Sequence, residues 1–140
     1  MEPNSNNTLA LRIGFRQVKG LSQKDAECII SERKNGYRKV YDVWQRSGVS
    51  HSVISKIVKA DCFHSLGLKR HEALWEANVI KSNNRMPLFE ILLEGESIKE
   101  SKINLPRSKL GSSILKDYNS LNFTIKGHPL ALLRPILDKQ

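Results

Sequence analysis

The chain has 140 residues, 39% of them hydrophobic, and a formal net charge of +9. That allows one domain, or one small domain with an appendage, and a modest core. A pI near 9.8 in so short a chain favours a polyanionic partner, most often nucleic acid.

No apolar run approaches the ~20 residues of a membrane span. The polar start "MEPNSNNT" lacks the apolar core of a signal peptide, so a cytoplasmic protein is expected. Cys28 and Cys62 make no disulfide framework and are read as buried thiols. The charge is uneven. Residues 12–81 hold 14 Lys/Arg against 7 Asp/Glu, and residues 82–140 hold 9 against 6, so the basic character belongs mainly to the first half.

Residues 9–15 alternate, with Leu9, Leu11, Ile13 and Phe15 on one side, which predicts a short strand or extended segment. Gly20 then forms a hinge between Lys19 and Leu21. Ser22 is a good N-cap for the helix that follows, with Asp25 in the capping-box position. Ala26, Ile29, Ile30 and Arg33 define one face of that helix, and Asn35-Gly36 stops it. "KVYDVWQRSG" is a short helix ending at Gly48. Ser50 caps another, whose apolar face is Val53, Ile54, Ile57 and Val58. A second hinge places Gly67 between Leu66 and Leu68, and the helix after it buries Ala73, Leu74 and Ala77. From residue 82 the pattern weakens. "KSNNRMP" reads as linker, "LFEILLEGESIKES" as strand or helix, and "INLPRSKLGSS" as loop. Ser112 or Ser113 can cap a helix over "ILKDYNSL". "GHPLALLRP" is a turn and a short helix, opened by Pro129 and ended by Pro135.

The two hinges match, and Gly20 and Gly67 lie 47 residues apart, a weak repeat of one supersecondary unit. Glycine lets the backbone turn tightly and lets another molecule approach without a Cβ in the way. The first amides of the next helix have no internal partner, and its dipole is positive there, so such an end binds phosphate. Val18 and Leu21, or Leu66 and Leu68, anchor the turns, while Lys19, Lys24, Lys69 and Arg70 supply charge. This is a helix-hairpin-helix device read twice, one that grips the sugar-phosphate backbone without reading bases. A glycine between helices is otherwise only a tight turn; the pairing of two in a basic chain favours contact with duplex DNA. The expected DNA-contacting residues are Lys19, Gly20, Leu21, Ser22, Lys24, Gly67, Lys69 and Arg70. The fold expected is mainly α: a tandem helix-hairpin-helix module with a less regular C-terminal extension.

"LALRIGFRQVKGLSQKDAECIISER", followed by "DVWQRSGVSHSVISKIVKADCFHSLGLKRHEALWEA", resembles the C-terminal region of bacterial C-family DNA polymerases. The error-prone, alpha-subunit-like polymerase of the damage-inducible mutagenesis cassette resembles it most. "LRIGFRQVKGL" and "SLGLKRHEALW" are the specific parts, and the likeness spans residues 9–137. It implies that residues 9–81 hold duplex DNA behind a polymerase active site; residues 82–111 are read as a linker from their weak pattern. Residues 112–140 would be a short helical segment leading toward an OB domain absent here. It also implies a fragment, since nothing matches the carboxylate-held magnesium site of the family's palm domain. The fragment is therefore expected to be no enzyme and to need no cofactor, although its parent resembles a DNA-directed DNA polymerase acting in translesion synthesis.

Other constellations carry less. His51, His64, His71 and His128 have no recognised metal-ligand spacing with the cysteines. Asp25/Glu27 and Glu94/Glu96 read as solvated charges. Trp44 and Trp75 read as core packing rather than base stacking. No phosphate-binding G-x-x-x-x-G-K-[ST] or G-x-G-x-x-G occurs, and the Gly-Pro-Asp run of a helix-hairpin-helix glycosylase is absent. Two other readings remain beside the error-prone module. One is a protein-interaction module, best placed in 82–111, that docks other proteins of a polymerase complex. The other is the same DNA-holding module from a replicative polymerase or a repair nuclease.

Overall fold

The computed structural model describes residues 2–3, 9–10, 13–83 and 108–138. Two short strands, β1 (Glu2–Pro3) and β2 (Leu9–Ala10), pair antiparallel with Glu2 opposite Ala10. Of the extended segment predicted over 9–15, Leu9–Ala10 are strand, Leu11 and Arg12 lie outside the described residues, and Phe15 is not extended. Gly14 is extended, but Phe15–Gln17 form a 3-10 turn that swings the chain into the first hinge. Six α-helices follow among the described residues: α1 (Gln23–Ser31), α2 (Val40–Ser47), α3 (His51–Lys59), α4 (Arg70–Asn83), α5 (Leu110–Leu121) and α6 (Pro129–Leu137). No helix among the described residues is long and apolar enough to cross a membrane. "LFEILLEGESIKES" lies outside the described residues, as does most of the segment read as linker.

The core is built around α3. Val53, Ile54, Ile57 and Val58 are all buried, as their spacing predicts. They pack with Val40 and Val43 of α2, Val49, Phe63, and Ala73, Ala77 and Ile80 of α4. Each large aliphatic side chain buried this way contributes roughly 1.5–3 kcal/mol over leaving it in water. The small Ala73 and Ala77 are the reason α4 can lie close against α3. Gly48 ends α2 in the left-handed conformation, φ 64°, which lets the chain reverse directly into α3. The acid of Asp42 opens α2 by accepting the amides of Arg38 (3.1 Å) and Lys39 (3.0 Å).

Several expectations shift. α1 ends at Ser31, before Asn35-Gly36, and only Ile29 of its predicted face is fully buried; Ile30 is 58% exposed. Cys28 takes the place beside Ile29 against the core, because the helix is rotated from the stripe that Ala26, Ile30 and Arg33 suggested. Cys28 is half-buried and Cys62 exposed, so neither is a fully buried thiol. Desolvation around the sulfur and the Asp61 carboxylate still push the Cys62 thiol up to about 11, which favours its protonated form at neutral pH. Trp44 packs on the core, but Trp75 sits on the outer side of α4, 47% exposed.

The loop predicted up to Ser113 is shorter, since α5 starts at Leu110 with Lys109 as its N-cap. Gly111 lies inside its first turn, where a Cβ would make ordinary contact with Leu132 Cδ1 of α6 at 3.5 Å. Pro135 lies inside α6 instead of ending it. It removes one amide donor near the end of a short helix, and the backbone closes again through Asp138, whose amide reaches Arg134 (2.9 Å).

Candidate nucleic-acid interface

The first hairpin is a tight turn. Val18 is buried and its carbonyl accepts the Leu21 amide at 3.2 Å. Gly20 sits at the position that requires positive φ, at 73°, as a turn of this kind demands. Leu21 packs on the core, so Leu21 anchors the turn while Lys19 and Gly20 stay exposed. Ser22 caps α1: its Oγ accepts the Asp25 amide (3.1 Å) and donates to the Asp25 carboxylate (2.6 Å). Among the described residues, the amides of Gly20, Gln23 and Lys24 have no acceptor. Lys24 is exposed beside them. The arrangement offers bare N–H groups at a helix N-terminus, flanked by two free lysines.

Two contacts that sequence gave no hint of brace this turn from behind. Lys56 of α3 donates its Nζ to the Gly20 carbonyl at 2.6 Å. The Lys19 amide donates to the Ser120 carbonyl of α5 at 2.9 Å. A residue in α3 and one 101 positions away thus hold the loop in shape.

The second hairpin is built differently. Gly67 closes the 3-10 turn His64–Leu66 with φ 76°, and Leu68 packs on the core. At the start of α4 the Lys69 amide donates to the Glu72 carboxylate at 2.9 Å. That bond, helped by the Lys69 ammonium 3.7 Å away, holds the Glu72 carboxyl below its usual range. Arg70 turns inward, its side chain only 9% exposed. Its guanidinium pairs with Asp61 at 3.3 Å and with Asp117 of α5, and also reaches the Ser113 carbonyl at 3.4 Å. Lys126 joins the network, 2.9 Å from Asp61 and 3.3 Å from Asp117, and Thr124 donates to Asp117 at 2.8 Å. Burial would raise the Asp117 pKa, but the hydrogen bonds from Arg70 and Thr124 and the charges of Arg70 and Lys126 outweigh it and lower the value. Of the eight residues expected at DNA, Arg70 is thus the one whose charge is buried among protein carboxylates, while the exposed Lys69 ammonium faces Glu72.

Both hairpins rest on α5, the first through Ser120 and the second through Ser113. Seven residues separate these contacts, about 10 Å along a helix axis. Arg46 is likewise structural: it donates to the carbonyls of Gly36 (2.7 Å) and Glu32 and covers the Tyr37 ring. No group of three or more potential metal ligands occurs among the described residues.

A family model described as a helix-hairpin-helix motif matches residues 2–73. Among curated proteins, the error-prone DNA polymerase of Ruegeria pomeroyi is 39% identical over 137 residues, covering 98% of this chain and 12% of its own length. Error-prone DNA polymerase 1 of Rhizobium meliloti is 40% identical over 128 residues, covering 89% of this chain and 12% of its own. The error-prone DNA polymerase of Sinorhizobium medicae is 41% identical over the same number, with the same shares. The chain thus spans about an eighth of the length of these relatives. No solved structure matches it.

Proposed function

The chain belongs to the helix-hairpin-helix family, and on that premise we propose that it is a sequence-nonspecific duplex-DNA-binding module of an error-prone DNA polymerase. The observation that supports this most is the first hairpin: unpaired amides around a left-handed Gly20, between Lys19 and Lys24. Such a surface suits phosphate oxygens, and its backbone amides carry no pattern that distinguishes one base from another. Residues 9–81 form the module in this reading, and α5 packs on it. The similarity to curated error-prone polymerases favours a parent that works in damage-induced translesion synthesis, in the cytoplasm, over a replicative polymerase or a nuclease.

Lys19→Gln and Lys24→Gln test the reading. Each removes a phosphate contact without altering the backbone. Affinity is expected to fall equally for two unrelated duplexes, and the log–log salt slope to drop by roughly 0.9 per contact. Fluorescence anisotropy at several salt concentrations measures both. A loss confined to one sequence, or equal affinity for single and double strands, would count against it.

The module is also expected to incorporate no nucleotides in a primer-extension assay, because no group of three or more potential metal ligands occurs among the described residues and the buried Asp117 serves the Arg70 network instead of holding magnesium. Template-dependent synthesis by this chain would reveal an active site.

A second reading, protein contact, has one observation behind it. Leu130, Leu132, Leu133, Ile136 and Leu137 of α6 are all exposed, by 40–63%. An apolar helix side of that kind usually meets another protein surface. It moves the contact from residues 82–111 to α6, and its occupant in this reading is a further part of a polypeptide as long as the relatives.

A further inference from the structure

We propose that a second phosphate-binding site lies where the matched motif meets α5, in the cleft between the second hairpin and that helix, and that it takes a phosphodiester group of the bound duplex. The inference rests on the duplex-binding reading above and adds α5 to the DNA interface.

The cleft has a volume of about 220 Å³, and Lys69, Arg70, His71, Lys116 and Lys126 are among the residues that line it. Two buried side-chain nitrogens in the described residues lack a hydrogen-bond partner, Arg70 Nε and His71 Nε2, and both belong to lining residues. Arg70 Nε always bears a proton. His71 Nε2 bears one in one of its two neutral tautomers, and its nearest carboxylate, Glu72, is 4.0 Å away, beyond hydrogen-bonding reach. Buried donors without acceptors are destabilising, and a phosphate oxygen is an acceptor of the right kind. Asp61 and Asp117 fix the Arg70 guanidinium in place, so its Nε is pre-positioned.

Charge points the same way. The cations Lys69, Arg70, Lys116 and Lys126 face three carboxylates, Asp61, Glu72 and Asp117. Lys116 is the one left over: its partner among the described residues is the Ser108 hydroxyl at 3.3 Å. At the N-terminus of α4 the Glu72 carboxylate takes the Lys69 amide, so a negative group already stands at that approach. An anion reaching the second hairpin meets α5 instead.

Lys116 is exposed, and Lys116→Gln should leave the melting temperature of the chain unchanged. It should lower the log–log salt slope for duplex binding by roughly 0.9, which is roughly an eightfold loss of affinity at 0.1 M salt. Lys116→Glu should lose more. Titration with inorganic phosphate, followed by NMR of the imidazole signals, should move His71, and Lys116→Gln should weaken that response. If the parent chain binds duplex DNA but Lys116→Gln keeps its affinity and slope, the cleft is not a DNA site. Phosphate shifts at His71 alongside that result would mean an adventitious ion only, and would equally overturn the proposal. A parent chain with no duplex affinity at low salt overturns the duplex-binding reading itself, and the cleft with it.

Discussion

Gly20→Glu is expected to cost the chain most of its duplex affinity while leaving it folded. The Cβ it adds has room, since the nearest atoms would be Lys56 Cε at 3.6 Å and Nζ at 3.8 Å. The folding cost comes instead from the backbone, held at φ 73°, and is about 1–2 kcal/mol for any residue with a Cβ. The binding cost has a different origin. In the proposed complex the amides of Gly20, Gln23 and Lys24 face a phosphate, and hydrogen bonds to a charged group are each worth ~1.5–3 kcal/mol. A glutamate carboxylate at the turn would compete for those amides and repel the phosphate. Loss of one such bond alone lowers affinity roughly 10- to 100-fold. Gly20→Ala separates the two effects, because it shares the strain and adds no charge. It should melt at nearly the same temperature as Gly20→Glu and bind far better. If Gly20→Glu stays folded and binds duplex DNA like the parent in anisotropy titrations, the hairpin is only a turn.

The parts of the fold that local chemistry controls were legible in the sequence. The left-handed glycines at 20, 48 and 67 announce themselves at the junctions between helical patterns, each just before an apolar residue. The α3 stripe has the helical period, and Ser22 caps α1 as its type and position require. Tertiary contacts decide the rest, and they leave no periodic trace. Whether a basic residue is free for DNA depends on what lies across from it. Lys24 projects from the first turn of α1 and stays free. Arg70 also stands in the first turn of the helix after its hinge, but Asp117 is 47 residues further on and takes its charge. Lys56 reads as one more surface cation on α3, yet it braces the Gly20 carbonyl. His71, Lys116 and Lys126 have no motif spacing and meet only because α5 lies against the second hairpin. The rotation of α1 that exposes Ile30 is of the same kind, since Tyr37 reaching the Ile29 carbonyl at 2.7 Å and the packing of α2 set it.

Asp117→Asn is expected to destabilise the chain at neutral pH and to do so less and less in acid. Asp117 is the hub that joins α5 to the second hairpin: its side chain is 4% exposed and meets Arg70, Lys126 and Thr124. Removing one partner of a buried ion pair costs ~3–5 kcal/mol, because the other charge is left uncompensated. Asp61 still holds Arg70 and Lys126, so the low end applies to Asp117→Ala. About 3 kcal/mol in a chain of this size lowers the melting temperature by on the order of 10 °C. Asn keeps the shape and an acceptor, so its cost is smaller and isolates the charge. The folded-state pKa of Asp117 lies below the unfolded value, which is about 3.9. The stabilisation is therefore fully present above that value and disappears as the pH falls through the folded-state pKa. Urea unfolding of parent and Asp117→Asn at pH 7 and in steps down to about pH 2.5 should show the gap between them close across that acid window. A gap of constant size from neutral to acid would mean that the Asp117 charge does not hold α5 to the second hairpin, and that its role there is only packing.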